Sequence, residues 1–110
     1  MELQISSRGL SLTPELRDHI ERRLYFALGC FAGRLGRVRV RVSDVNGPRG
    51  GVDKRCAINV SLPRLAPVIV EVLHENELAA VNLAAERAAR AVSRKVNRSL
   101  HRRRSHSNAA

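Results

Sequence analysis

Apolar and polar residues along this chain follow two different periods, and the switch between them marks out the elements. Leu3 and Ile5 alternate with Glu2, Gln4 and Ser6, which predicts a short first strand. Thr13 then offers a side-chain oxygen to cap helix amides, Pro14 suits a first helical position where its missing N–H is harmless, and Glu15 complements the helix dipole. Leu16, Ile20, Leu24, Ala27 and Phe31 follow at steps of three and four, the apolar stripe of a helix that Gly33 and Gly36 bring to an end. From Arg37 the period changes to two. Val38, Val40 and Val42 alternate with Arg37, Arg39 and Arg41, so a strand there sorts them into a core face and a basic face. After the turn-rich run Asn46-Gly47-Pro48-Arg49-Gly50-Gly51, the residues Cys56, Ile58, Val60 and Leu62 alternate with Arg55, Ala57, Asn59 and Ser61 as a third strand. Pro63 and Pro67 bracket a connection to a β-branched fourth strand, Val68 to Leu73. Asn76 is positioned to cap a final helix with Leu78, Val81, Ala85, Ala88, Val92 and Val96 as its apolar stripe.

The resulting order, β-α-β-β-β-α, constrains the topology. A right-handed crossover through the first helix sets strands one and two parallel, and hairpins add strands three and four antiparallel. The expected fold is a two-layer α+β domain, a four-stranded mixed sheet with both helices on one face. Small residues at Ala84, Ala85, Ala88 and Ala89 let the last helix lie close on its support. Neither an internal repeat nor an interdomain linker is present, so residues 1–100 are expected to form a single domain. The run Arg102-Arg103-Arg104-Ser105-His106-Ser107-Asn108 has nothing apolar to bury, and residues 101–110 are expected to be a flexible basic tail.

Composition adds two constraints. Although 44% of the 110 residues are hydrophobic, only Tyr25, Phe26 and Phe31 are aromatic, so the core must be built from Val, Leu, Ile and Ala. A formal charge of +10 makes the chain a partner for polyanions, through long-range steering and counterion release. The charge is unevenly placed: from Arg87 onward there are eight Lys/Arg residues and no Asp or Glu. Arg87, Arg90, Arg94 and Arg98 fall within an arc of ~80° on a helix, opposite the apolar stripe and with Lys95 beside them. The N-terminus has no basic leader or long apolar stretch, which suggests a cytoplasmic protein. Cys30 and Cys56 form no CxxC; with Cys56 on the inward strand face and Cys30 near the first helix's stripe, both are expected to be buried thiols.

Catalytic chemistry finds no constellation. Gly47 to Lys54 lacks the GxxxxGK[ST] spacing of a phosphate loop, and Lys54 leads into a strand instead of a helix. His74-Glu75 begins like HExxH, but position 78 is leucine and the second metal ligand is missing. The acids Asp18, Glu21, Asp44, Asp53 and Glu71 are scattered, with no pair spaced for acid/base work. A non-enzyme is expected, with no cofactor, metal or small-molecule substrate.

Three segments give the chain a family likeness: Ile5-Ser6 with Leu12-Thr13-Pro14-Glu15-Leu16-Arg17, then Asp53-Lys54-Arg55-Cys56, then Ala79-Ala80-Val81-Asn82. In this order and spacing, over about residues 2–98, the chain resembles the ribosome hibernation promoting factors, also called ribosome-associated inhibitors or sigma-54 modulation proteins, in their short form. The resemblance implies a stress-response factor that binds ribosomal RNA of the small subunit (16S-type) near the decoding centre and occludes the messenger and tRNA sites. It also implies RNA contacts from both helices, at Arg23 on the first and at Arg87, Arg90 and Arg94 on the last. The chain departs from the family in carrying Leu78 where an aromatic residue commonly precedes the Ala-Ala pair, and Phe26 where a lysine is common.

The blander reading of the last-helix arginines is a solvated polar face, but such faces usually mix signs and here acids vanish after Glu86. The Arg37/Arg39/Arg41 stripe is open to two readings, RNA contact or the wet outer face of a half-exposed sheet. The RNA-binding set expected is therefore Arg23, Arg87, Arg90, Arg94, Lys95, Arg98, Arg37, Arg39 and Arg41, on a chain that is monomeric when free. The alternatives are a regulatory module binding protein through the small-residue surface of the last helix, or a general binder of structured RNA. Membrane binding is disfavoured because the basic helix has no Trp and no strongly apolar face to insert.

Overall fold

The computed structural model describes residues 1–45 and 53–108, with side chains through residue 100; the turn-rich run at 46–51 and Arg49 within it lie outside the described residues. The elements are β1 (Glu2–Arg8), α1 (Pro14–Leu28), a 3-10 turn (Gly29–Arg34), β2 (Arg37–Asp44), β3 (Lys54–Val60), β4 (Val68–His74) and α2 (Glu77–Asn108). Strand order is β1-β2-β3-β4. β1 pairs parallel with β2, Ile5 opposite Val40, as the crossover through α1 requires. β2/β3 and β3/β4 are antiparallel, with Val40 opposite Ile58 and Ile58 opposite Val70.

This register assigns every second residue to one layer. Val38, Val40 and Val42 line up with Cys56, Ile58 and Val60 and with Val68 and Val72, all buried beneath the helices. Ile20, Leu24 and Leu28 of α1 and Val81, Ala84, Ala85, Ala88 and Val92 of α2 complete that core, each fully excluded from solvent. The core is aliphatic, as composition demands. Fully burying one such Val, Leu or Ile contributes about 1.5–3 kcal/mol, so this cluster outweighs any single polar contact described below.

Helix boundaries follow local chemistry. Thr13 Oγ1 accepts the amide of Leu16 at 3.2 Å, and Asn76 Oδ1 accepts those of Leu78 (2.8 Å) and Ala79 (3.1 Å). At the other end α1 stops at Leu28, and the chain tightens into the 3-10 turn before β2. That turn corrects one sequence expectation: Cys30, placed near the buried stripe, sits on it and is exposed, whereas Cys56 is buried. The stripe is also shifted at its ends. Leu28 takes the deep position, Ala27 and Phe31 are half-buried, and Leu78 lies exposed ahead of the first sheet contact. The helical backbone of α2 runs on to Asn108, past the residue 100 limit inferred for the domain.

Candidate nucleic-acid interface

The angular position of each α2 residue is fixed by the side that meets the sheet. Because Ala80, Val81, Ala84, Ala85, Ala88, Val92 and Val96 are buried against it, the opposite side must face solvent, and Arg87, Arg90, Arg94 and Arg98 are all exposed there. They form one ridge along the outer surface of α2. Among the described residues none of the four has a carboxylate partner. Elsewhere the molecule does pair its surface cations, Arg22 with Asp18 (3.4 Å), Arg37 with Glu2 (3.7 Å) and Arg55 with Glu71 (3.0 Å). The ridge therefore keeps its full positive charge, while each of those pairs is exposed and contributes little to stability.

α1 lies beside α2 and runs parallel to it. His19 Nε2 and Asn82 Oδ1 are 2.8 Å apart, and one turn further along Arg23, Phe26 and Ala27 face Glu86, Ala89 and Arg90 across a shallow groove. Arg23 is half-buried in that groove, its guanidinium carbon 5.8 Å from the centre of the Phe26 ring. This places Arg23 beside Arg90, so the first helix extends the cationic surface sideways. Phe26 itself is 83% exposed. The sequence contained the signal for this: Phe26 falls off the Leu16/Ile20/Leu24 spacing, so it could not have been part of the core stripe.

Lys95 is set apart from the ridge. Its ammonium donates to the carbonyl oxygens of Ala66 (2.6 Å) and Pro67 (3.3 Å), tying α2 to the connection before β4. Its ammonium keeps its charge, but these two carbonyls fix where it is held. Arg37, Arg39 and Arg41 project from the other layer altogether, the outer face of the sheet, with Arg39 and Arg41 exposed and without a carboxylate partner among the described residues. Around them lie Gln4, Ser6, Ala57, Asn59 and Ile69, a shallow and mostly neutral surface. The molecule thus has two basic faces separated by the thickness of the domain. A single flat surface cannot touch both.

Two further groups are structural. Lys54 Nζ bridges Asp53 Oδ1 (3.1 Å) and Asp44 Oδ2 (3.3 Å), and its pKa is raised, first by the hydrogen bond to the buried Asp53 and then by Asp44, with partial desolvation opposing. Burial pushes the Cys56 thiol up to about 12, which keeps it protonated and unreactive at neutral pH. Among the described residues no three His, Cys, Asp or Glu side chains gather as metal ligands. No helix among them is long and apolar enough to cross a membrane. The small-residue face of α2 lies against the sheet, so the surface that a protein-binding module of this helix would need is already occupied.

The structure thus presents a two-layer α+β domain whose α2 carries an exposed row of arginines without carboxylate partners among the described residues. The Sigma 54 modulation protein / S30EA ribosomal protein family matches residues 3–101, and the chain belongs to that family. Among solved structures it is similar to the N-terminal domain of Protein Y from Thermus thermophilus, with 27% identity and a TM-score of 0.71 over 86% of this chain and 98% of that one. A ribosomal subunit interface protein from Coxiella burnetii shares the fold, with 18% identity and a TM-score of 0.74 over 88% of this chain and 99% of that one. No curated protein sequence is similar enough to this chain to count as a match.

Proposed function

We propose that this protein is a cytoplasmic ribosome hibernation factor that binds ribosomal RNA of the small subunit near the decoding centre as a monomer and occludes the messenger and tRNA sites. The observation that carries the reading is the ridge of Arg87, Arg90, Arg94 and Arg98, exposed, aligned and without carboxylate partners among the described residues. Membership of a family described as ribosomal supports the choice of partner. A relative by fold alone is a ribosomal subunit interface protein. Docking is electrostatic and shape-based, because side chains cannot reach base edges in the deep major groove of an A-form helix and read phosphate positions instead. Arg23 widens this surface, and Arg37, Arg39 and Arg41 offer the opposite wall of an RNA cleft a second set of contacts. Such a two-sided grip suits a wedge lodged between RNA surfaces. Occlusion itself requires no chemistry.

The test is co-sedimentation with ribosomes through sucrose gradients, together with a translation assay. Replacing Arg87, Arg90 and Arg94 together by Glu is expected to abolish both co-sedimentation and inhibition. A variant that still travels with the small subunit and still inhibits would overturn the reading.

A further inference from the structure

An exposed phenylalanine is unusual in a chain that has three aromatic residues and a core short of large side chains. Phe26 is 83% exposed, and it sits at the lip of the α1/α2 groove, not on an isolated stretch of surface. Arg23 holds the ring through a cation–π contact at 5.8 Å, and Arg90 faces it from α2. Ala27 and Ala89 leave the groove without bulky side chains, giving a space of about 450 Å³, within the range that accommodates a small planar ligand. Arg23 Nε is buried and has no hydrogen-bond partner among the described residues, so the groove holds a donor in want of an acceptor.

From this we infer a base-stacking site: an unpaired nucleobase lies on the free face of Phe26, its flanking phosphates held by Arg23 and Arg90. The inference rests on the proposed binding of RNA by the ridge and names what this part of it recognises. A planar apolar ring joined to an anionic backbone is the ligand that satisfies an aromatic face and two cations at once, and base–aromatic stacking is tolerant of sequence. A purely apolar protein segment would strip water from Arg23 and Arg90 without replacing it. Glu86 on the groove wall repels a phosphate there but accepts hydrogen bonds from the exocyclic amine of a base, which fixes which end of the nucleotide enters. The paired helices would then bind duplex RNA by its phosphates and single-stranded RNA with an added stacking contribution.

The experiment compares a single-stranded oligoadenylate, an abasic oligomer of equal length and charge, and a blunt RNA duplex, each titrated against the wild type and the variants Phe26→Ala, Phe26→Trp and Arg90→Gln. Wild type is expected to prefer oligoadenylate over the abasic oligomer. Phe26→Ala is expected to lose about 5- to 150-fold in oligoadenylate affinity, the loss typical of one stacked base, while its salt dependence and duplex affinity stay unchanged. The natural chain has no tryptophan, so Phe26→Trp supplies a single reporter whose emission is quenched when a base stacks on it. Equal affinity of Phe26→Ala and wild type for oligoadenylate, or an unquenched Trp, would overturn the stacking site while leaving the ridge intact, provided Arg90→Gln still weakens duplex binding. If the wild type binds no RNA with salt dependence, the ridge reading falls as well. A Phe26-dependent affinity for oligoglutamate matching that for oligoadenylate would reassign the groove to acidic peptides.

Discussion

Salt dependence gives the sharpest handle on the arginine ridge, because each phosphate contact releases counterions and leaves a countable mark. Five contacts, from Arg23, Arg87, Arg90, Arg94 and Arg98, give a slope of log affinity against log salt of about −3.5 to −4.5, at roughly 0.7–0.9 per contact. Between about 50 and 200 mM salt the affinity for RNA should then fall by about 100- to 500-fold. Replacing Arg94 by Gln, which keeps helix propensity and drops the charge, should lower the slope by about 0.7–0.9. Replacing Arg87, Arg90, Arg94 and Arg98 together should leave a fall of only about threefold over the same range. Lys95→Gln is the internal control: it removes the same formal charge one residue from Arg94, but that ammonium is bound to the carbonyls of Ala66 and Pro67. Its slope should fall less than that of Arg94→Gln, because the ammonium is held at those carbonyls. The fourfold variant should also gain stability, since the pairs Arg87/Arg90, Arg90/Arg94 and Arg94/Arg98 each repel by about 0.2–0.5 kcal/mol, which raises the melting temperature by a few degrees. Fluorescence anisotropy titrations at four salt concentrations and a thermal melt measure all of this. If Lys95→Gln flattened the slope as much as Arg94→Gln, or if the fourfold variant kept the wild-type slope, the assignment of phosphate contacts to the ridge would be wrong.

Further outcomes follow from the burial or exposure of single groups. Iodoacetamide should modify the exposed Cys30 in the folded protein and spare Cys56 until denaturant is added, as peptide mapping by mass spectrometry would reveal. Stability should fall on the alkaline side: the Cys56 thiol ionises near 9 when unfolded but is raised to about 12 when folded, so the unfolded state loses its proton first and the unfolding free energy, followed by urea titration, declines by up to ~1.4 kcal/mol per pH unit between these limits. The raised pKa of Lys54 acts in the same direction, its contribution being complete below the ordinary lysine value of 10.5 and lost as pH rises through the folded one; Lys54→Met should lower the urea midpoint at neutral pH by leaving Asp53 buried without its cation. Ile20→Ala, at a site with no solvent exposure, should cost about 2–5 kcal/mol in chemical denaturation, and Ala88→Leu about 1–3 kcal/mol by overfilling the contact of α2 with the sheet.

What could be read before folding was whatever depends on period and on neighbours within a turn. The Val/Arg alternation of β2 fixed both its faces, since a one-residue slip would have buried three arginines, and the caps at Thr13 and Asn76 depend only on residues two or three positions away. The same arithmetic put Arg87, Arg90, Arg94 and Arg98 on one side. It could not say what stands next to each side chain. The angle of Lys95 around α2 is close to that of the ridge, whereas the carbonyls that hold it belong to residues 66 and 67, twenty-nine and twenty-eight positions away. Helical spacing does not carry past Leu28, where a turn with fewer residues per revolution rotates the Cys30 side chain outward. The burial of Asp53 beneath Lys54 likewise arises from the packing of β2 beside β3, and no local pattern announces it.

The 32 residues of α2 extend about 48 Å, roughly twice the length of strands of seven or eight residues, so its helical backbone runs on for longer than the sheet it covers. All ten Asp and Glu residues of the chain precede Arg87, and the eight Lys and Arg residues from there onward all lie in the α2 segment. Separating the charges in this way gives the molecule a permanent electric moment along its longest axis. In the field of a polyanion such a body experiences a torque as well as a pull, and it turns its far end inward before touching. Many encounters would therefore begin already aimed, with the later turns of α2 arriving first and the β-layer following behind.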